Sequence, residues 1–139
     1  MTAKEFLREY EYKDRIAKRL RAEYEKEVEL IDAIRVPSDI DGMPHGTGVS
    51  RSAEEKAIRL ADKASAWRKA ELDAIEARQK VFDEICSVKD VEGDILYERY
   101  INQRQWEEIC VIVHLSWTQT HERHKNALRI IQQRLQKTE

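Results

Sequence analysis

The residues best suited to a chemical role lie just after Ser116, in a polar stretch near the end of the chain. Amide, hydroxyl, imidazole and carboxylate groups can hydrogen-bond the edges of DNA bases, and apolar groups can contact a thymine methyl. We predict five base-reading side chains here: Trp117, Thr118, Gln119, His121 and Glu122. Lysine and arginine neutralise phosphates regardless of base sequence. The predicted phosphate contacts are Arg104, Arg123, Lys125 and Arg129.

Patterns typical of catalysis and metal binding do not occur in the sequence. It has no glycine-rich phosphate loop, no nucleophile elbow and no paired carboxylates in a catalytic setting, so we predict neither an enzyme nor a cofactor. Cys110, His121 and His124 lack a fourth ligand at the usual spacing for zinc, so we also predict no metal site. Cys86 and Cys110 lie on predicted apolar faces without CxxC spacing, which favours buried, reduced thiols.

The stretch 94–135 has the spacing needed to position these side chains. Apolar residues recur at helical intervals, first at Ile95, Leu96, Tyr100 and Ile101, then from Trp106 to Val113, and again from Ala127 to Leu135. The pattern breaks at 114–116, where Ser116 can cap the N-terminus of the next helix. A short helix, a turn and a polar second helix form the helix-turn-helix plan, whose second helix enters the DNA major groove.

The first two thirds of the chain predict two long helices. Apolar residues follow alternating steps of four and three over about 3–35 and 52–88, while both prolines and three of the four glycines fall in the intervening 36–51. We expect an all-α fold, with an antiparallel helical hairpin over 1–88 and a helix-turn-helix domain over 89–139. Trp67 should anchor the hairpin seam. Additional apolar residues, including Leu7, Leu72, Ile75 and Phe82, predict a second contact face for the C-terminal domain or for a second copy.

Several segments resemble region four of bacterial sigma factors: LYERY at 96–100, WEEIC at 106–110, LS at 115–116 and AL at 127–128. Upstream, DGMPHGTGVS at 41–50 resembles the connecting loop of small sigma-like proteins from phages and prophages of Gram-positive bacteria, the ArpU-like and RinA-like late regulators. The resemblance implies a sequence-specific activator of late genes that binds promoter DNA and recruits host RNA polymerase. The chain departs from region four at Thr120, where an aliphatic residue is usual, at Arg123, and at Trp117, where a basic residue is usual. The sequence preference of the family therefore cannot be transferred.

Charge limits the partners. Lysine and arginine number 25 against 27 acidic residues, a net charge of −2, which argues against a nonspecific nucleic-acid coat protein. Residues 116–139, however, carry five basic and two acidic side chains, so the predicted DNA helix is locally positive. No apolar run approaches the roughly 20 residues of a membrane span, and residues 1–5 do not resemble a secretory signal. We expect a protein of the bacterial cytoplasm that does not bind membranes.

Two other functions fit the same elements. A small-terminase-like packaging protein also joins a helix-turn-helix to helical oligomerisation segments. Alternatively, the departures at Trp117 and Thr120 would suit a module that binds a host protein and no DNA. In the favoured interpretation the hairpin mediates a homodimer or contacts a polymerase subunit.

Overall fold

A computed structural model describes residues 1–34 and 51–138, which are all-α with no strand among them, as predicted. The helices are α1 (Ala3–Ile34), α2 (Arg51–Cys86), α3 (Asp90–Leu96), α4 (Trp106–Val113) and α5 (Trp117–Lys137). A π-helical segment, Tyr97–Ile101, continues directly from α3. The connection predicted at 36–51, including the loop resemblance at 41–50, lies outside the described residues except for Arg51.

Helices α1 and α2 form the predicted antiparallel hairpin. Trp67, in the middle of α2, stacks on Tyr24 of α1 with ring centroids 5.5 Å apart, and thus anchors the seam as expected. Farther from the C-terminal helices, Lys63 Nζ lies 3.1 Å from Glu27 Oε2. At the other end, Leu7 of α1 belongs to the same buried cluster as Val81 of α2. The N-terminal part of α1 therefore contacts the C-terminal part of α2, and the C-terminal part of α1 contacts the N-terminal part of α2. The two helices are antiparallel.

The main core lies at the end of the hairpin where the C-terminal helices pack. It combines side chains from α1, α2, the link after α2, α3, the π-helical segment and α5: Ala3, Leu7, Val81, Ile85, Val88, Leu96, Tyr100, Ile101, Ala127 and Ile131. Leu7 is fully buried, and the backbone N–H of Ala3 donates to Gln132 Oε1 of α5 at 2.7 Å. Both long helices therefore support the buried face of α5 and set the direction in which its other face points.

A smaller buried layer joins α3, α4 and α5 through Ile95, Ile109 and Thr120, each with 0% exposure. The stripe predicted to bury Ile95, Leu96, Tyr100 and Ile101 is confirmed.

The prediction of two buried thiols is wrong for Cys86. Cys110 is half-buried, but Cys86 is exposed, and both thiols are free. The buried positions here are Ile85, in the last turn of α2, and Val88, two residues after α2 ends. Cys86 follows Ile85 by one residue, a rotation of about 100° around the helix, and so points away from the core.

No helix in the described segments is both long and apolar enough to cross a membrane.

Candidate nucleic-acid interface

The turn between α4 and α5 is built from local hydrogen bonds. Helix α4 ends at His114, whose left-handed backbone (φ 57°, ψ 41°) redirects the chain. Ser116 is the N-cap of α5, as predicted: its Oγ accepts from the Gln119 N–H at 3.2 Å. Gln119 Oε1 in turn accepts from the Ser116 N–H at 3.3 Å and completes a capping box. Gln119, a predicted base reader, thus also stabilises this turn through its side-chain carbonyl oxygen.

Helix α5 has one buried and one exposed face. The buried stripe, spaced by four, three and four residues, consists of Thr120, His124, Ala127 and Ile131. The polar residues of the opposite face are exposed: Thr118, Gln119, Glu122, Lys125, Asn126 and Arg129. Asn126 was not among the predicted base readers, although it lies one helical turn after Glu122 and its amide can pair with adenine. The exposed side of α5 therefore carries a continuous polar surface, which is rich in hydrogen-bonding groups.

Four of the five predicted base readers are exposed: Trp117, Thr118, Gln119 and Glu122. His121 differs, because its ring packs between Trp106 and Trp117 with both centroid distances at 4.5 Å. Trp117 nevertheless keeps 52% of its surface exposed. Because His121 is wedged between two indoles, its most direct effect is to hold Trp117 in a defined orientation at the start of α5.

The four predicted phosphate-binding cations fall into two pairs. Arg104 Nε lies 2.7 Å from Glu98 Oε2, and Arg123 Nη1 lies 3.0 Å from Glu92 Oε1, so carboxylates of the same chain already neutralise both. Lys125 and Arg129 are exposed and have no ion-pair partner in the part of the chain that the structure describes. The positive charge available to a phosphate backbone on this face therefore comes mainly from Lys125 and Arg129.

A layer of aromatic and imidazole rings fixes α5 from behind. Tyr100 Oη lies 2.8 Å from His124 Nε2, and the Trp106 ring meets the His124 ring edge-on with centroids 4.7 Å apart. Burial lowers the pKa of His124 to about 4, and nearby cationic groups act in the same direction. Burial also raises the pKa of Tyr100 above its ordinary value. At neutral pH a protonated phenol can therefore donate to a neutral imidazole, and this hydrogen bond ties α5 to the π-helical segment.

Cys110, His121 and His124 do not come together as ligands. Across residues 1–34 and 51–138, no three histidine, cysteine, aspartate or glutamate side chains are grouped closely enough to hold a metal ion.

Thr120 is a buried polar position behind the exposed face. Its side chain has 0% exposure, and its hydroxyl has no hydrogen-bond partner among the described residues. An unpaired buried hydroxyl destabilises a fold by about 1–3 kcal/mol.

We expect Thr120→Val, which keeps the shape and removes the hydroxyl, to raise the free energy of unfolding in urea by about 1 kcal/mol. Thr118→Val is the matched control, because Thr118 is exposed on the same helix and should change stability little. Equal or lower stability of the Thr120→Val protein would contradict the unpaired hydroxyl.

No family model matches this chain, and neither a curated protein nor a solved structure matches it. The functional assignment therefore depends on the geometry of α4, the turn and α5, together with the region-four resemblance of 96–128.

Proposed function

We propose that this chain is a phage- or prophage-encoded transcription regulator that binds promoter DNA through α5 and acts with host RNA polymerase at late genes. In this proposal α4, the turn and α5 form a helix-turn-helix. Helix α5 enters the major groove, α4 crosses the backbone, and the hairpin supports both.

The observation that carries the proposal is the two-sided character of α5. One face is held in the core through Thr120, His124, Ala127 and Ile131, while the other presents hydroxyl, amide, carboxylate and cationic groups to solvent. A helix of 21 residues is about 31 Å long, and the major groove, about 12 Å wide, admits a helix. The exposed groups are those that read base edges and phosphates.

The proposed contacts are assigned to side chains of α5 that are exposed to solvent. Trp117 and Thr118, at the helix start, would contact thymine methyl groups, and Glu122 would accept from cytosine. Asn126 joins them as an adenine reader. Gln119 retains its amide N–H groups for a base while its oxygen serves the cap.

Footprinting on DNA flanking the gene, with and without bacterial RNA polymerase, tests the function. We expect protection of a promoter-proximal site, extended or strengthened by the polymerase. If neither lane shows a protected site, the proposal is wrong.

Lys125 and Arg129 give the most direct prediction about affinity. Each contacted phosphate contributes nearly one unit to the slope of log K against log salt. The double substitution Lys125→Ala/Arg129→Ala should weaken binding at low salt and lower that slope by about 2, as measured by fluorescence anisotropy with the footprinted duplex. Lys80→Ala, which removes an exposed lysine of α2, is the matched control and should leave the slope unchanged. An unchanged slope in the double variant would place the phosphates elsewhere.

One observation favours a second function, the capture of a host protein without DNA. Apolar side chains lie exposed on both sides of the turn: Val111 at 72%, Ile112 at 42% and Trp117 at 52%. Exposed apolar residues in one region are typical of protein interaction sites. This candidate predicts no shift of any duplex even at low salt, whereas the DNA-binding candidate predicts its tightest binding there.

A further inference from the structure

The half of the hairpin farthest from the C-terminal helices, called the outer half below, has a seam of half-buried side chains, among them Tyr24 and Trp67. Between Ala17 and Ala74 no described side chain is fully buried, although residues 18–34 of α1 and the facing part of α2 make a helical pair about 25 Å long. Helices in proteins owe most of their stability to packing of an apolar face. A two-helix segment whose seam is only half-buried would therefore gain stability from additional apolar contact.

Helix α2 carries two apolar stripes, and α1 covers only one. Leu60, Trp67 and Ala74 form the stripe on the α1 side, and Ala74 is buried. A second stripe follows steps of four and three residues and is broken only by Arg68: Ala57, Ala61, Ala64, Leu72 and Ile75. Leu72 is 61% exposed and Ile75 57%. Ile75 lines an open groove with Trp67 of α2 and Tyr10 of α1, so the second stripe continues into the seam between the two helices.

At the far end of the outer half the two helices have opposite charge, although residues 18–21 of α1 add three basic side chains and bring the net charge of residues 18–34 to −1. Residues 22–33 of α1 contain five acidic side chains and one basic, a net charge of −4. Residues 52–69 of α2 contain five basic side chains and three acidic, a net charge of +2. Within the described segments only one ion pair joins these two stretches, Lys63 with Glu27. Most of the remaining charges are exposed and available to another molecule.

We propose that a second copy of this chain packs on the second stripe, so that α1 of each copy lies against α2 of the other in a four-helix bundle. A two-fold axis brings the same surface of both copies together. It would place the acidic stretch of each α1 next to the basic stretch of the partner's α2, so that opposite charges meet at two places in the dimer. Alanines at three positions of the stripe allow close approach of the helices. A nucleic acid is a poorer occupant, because the two stretches together carry a net charge of −2.

The available area is sufficient for such a contact. The outer half is about 25 Å long and about 20 Å wide, which is the width of two packed helices. Its face therefore measures about 500 Å² per copy. The two copies together would bury about 1,000 Å², the size at which specific association begins. The dimer should accordingly be reversible, with subunits that exchange on dilution.

Sedimentation velocity of the full chain, without DNA and in reducing buffer because Cys86 is exposed, tests the proposal. We expect a species of twice the chain mass. Leu72→Glu/Ile75→Glu should convert it to a monomer, because both side chains would carry charge into the interface. Tyr12→Glu is the matched control: Tyr12 is 60% exposed but lines a different groove, with Ile16 and Ala70, and its substitution should leave the dimer intact.

The milder double variant Leu72→Ala/Ile75→Ala tests the same surface in case the glutamate variant misfolds. It should weaken the dimer at least tenfold and leave the helical circular dichroism unchanged. A monomeric parent chain, a dimer that survives both double variants, or a ring of eight or more copies would overturn the proposal; the ring would favour the packaging function. Because no DNA is present, a negative footprint leaves this result unaffected. If α5 also reads DNA as proposed, the dimer predicts an inverted-repeat binding site.

Discussion

Replacing Gly93 by alanine should destabilise the chain by about 2 kcal/mol, even though alanine is the better helix former. Gly93 is buried in α3, and a Cβ placed there would overlap the carbonyl oxygen of Val88, in the link between α2 and α3. Backbone atoms cannot move aside as a flexible side chain can. The overlap should cost about 3 kcal/mol, against a propensity gain of about 1 kcal/mol, so the steric effect prevails.

Urea unfolding followed by circular dichroism measures this difference. Asp94→Ala is the matched control, because Asp94 is the next residue of α3 and its side chain is exposed. The Gly93 variant should also weaken DNA binding under the proposed function, because α3 carries Glu92, which pairs with Arg123 of α5. A Gly93→Ala protein as stable as its parent would show that α3 does not approach the Val88 carbonyl this closely.

Local chemistry made part of this structure predictable. The Ser116 cap depends only on a hydroxyl meeting a backbone N–H three residues later, and it lies where the sequence indicated. Helical spacing likewise predicted the buried stripe Ile95, Leu96, Tyr100 and Ile101 and the seam position of Trp67. Such features need no knowledge of the rest of the fold.

Spacing identifies an apolar face but does not identify what covers it. Leu7 and Leu72 were assigned together to one second contact face. In the structure Leu7 is sealed in the core that α5 shares, while Leu72 remains 61% exposed. The distinction depends on contacts between residues more than 100 positions apart, such as the hydrogen bond from Ala3 to Gln132.

At the candidate interface, helical spacing likewise did not predict which charged and aromatic side chains pair with other parts of the chain. Arg123 looked like a free phosphate contact, yet it pairs with Glu92, 31 residues away. His121 looked like a base reader, yet Trp106 from α4 packs on its ring. Helical phase gave the correct exposed side for Thr118, Glu122, Lys125 and Arg129, and could also have identified Asn126. Whether an exposed group is free or already paired depended on helices packed beside α5.

Acid should destabilise the chain, because the fold holds His124 in its neutral form. Burial keeps the pKa of His124 in the folded chain near 4, below the ordinary value of 6.5 that it regains on unfolding. The neutral ring is the folded form, so the full contribution to stability is present above about pH 6.5. As the pH falls from 6.5 to 4, the unfolded chain binds a proton that the folded chain does not, and stability decreases throughout that interval.

Several basic side chains oppose protonation of His124 from the elements packed around it. Lys4 and Arg8 approach from α1, Arg99 from the π-helical segment, and His121 from α5 itself. Tyr100, with its raised pKa, remains a protonated donor over the whole interval. A shift of this size corresponds to about 3 kcal/mol by linkage, and we expect about 2 kcal/mol because the ring is not fully shielded from water.

Urea unfolding at pH 7 and at pH 4.5 in the parent chain and in His124→Gln measures this effect. Glutamine can still accept from the Tyr100 hydroxyl but does not titrate, so the variant should be less stable at pH 7 yet lose less stability on acidification. His114→Asn is the control: His114 is exposed, asparagine tolerates its left-handed backbone, and the acid loss of the parent should persist. Equal acid losses in the parent and in His124→Gln would refute the assignment. Because His124 anchors the buried face of α5, the proposed DNA binding should decline over the same pH interval, and His124→Gln should reduce that decline.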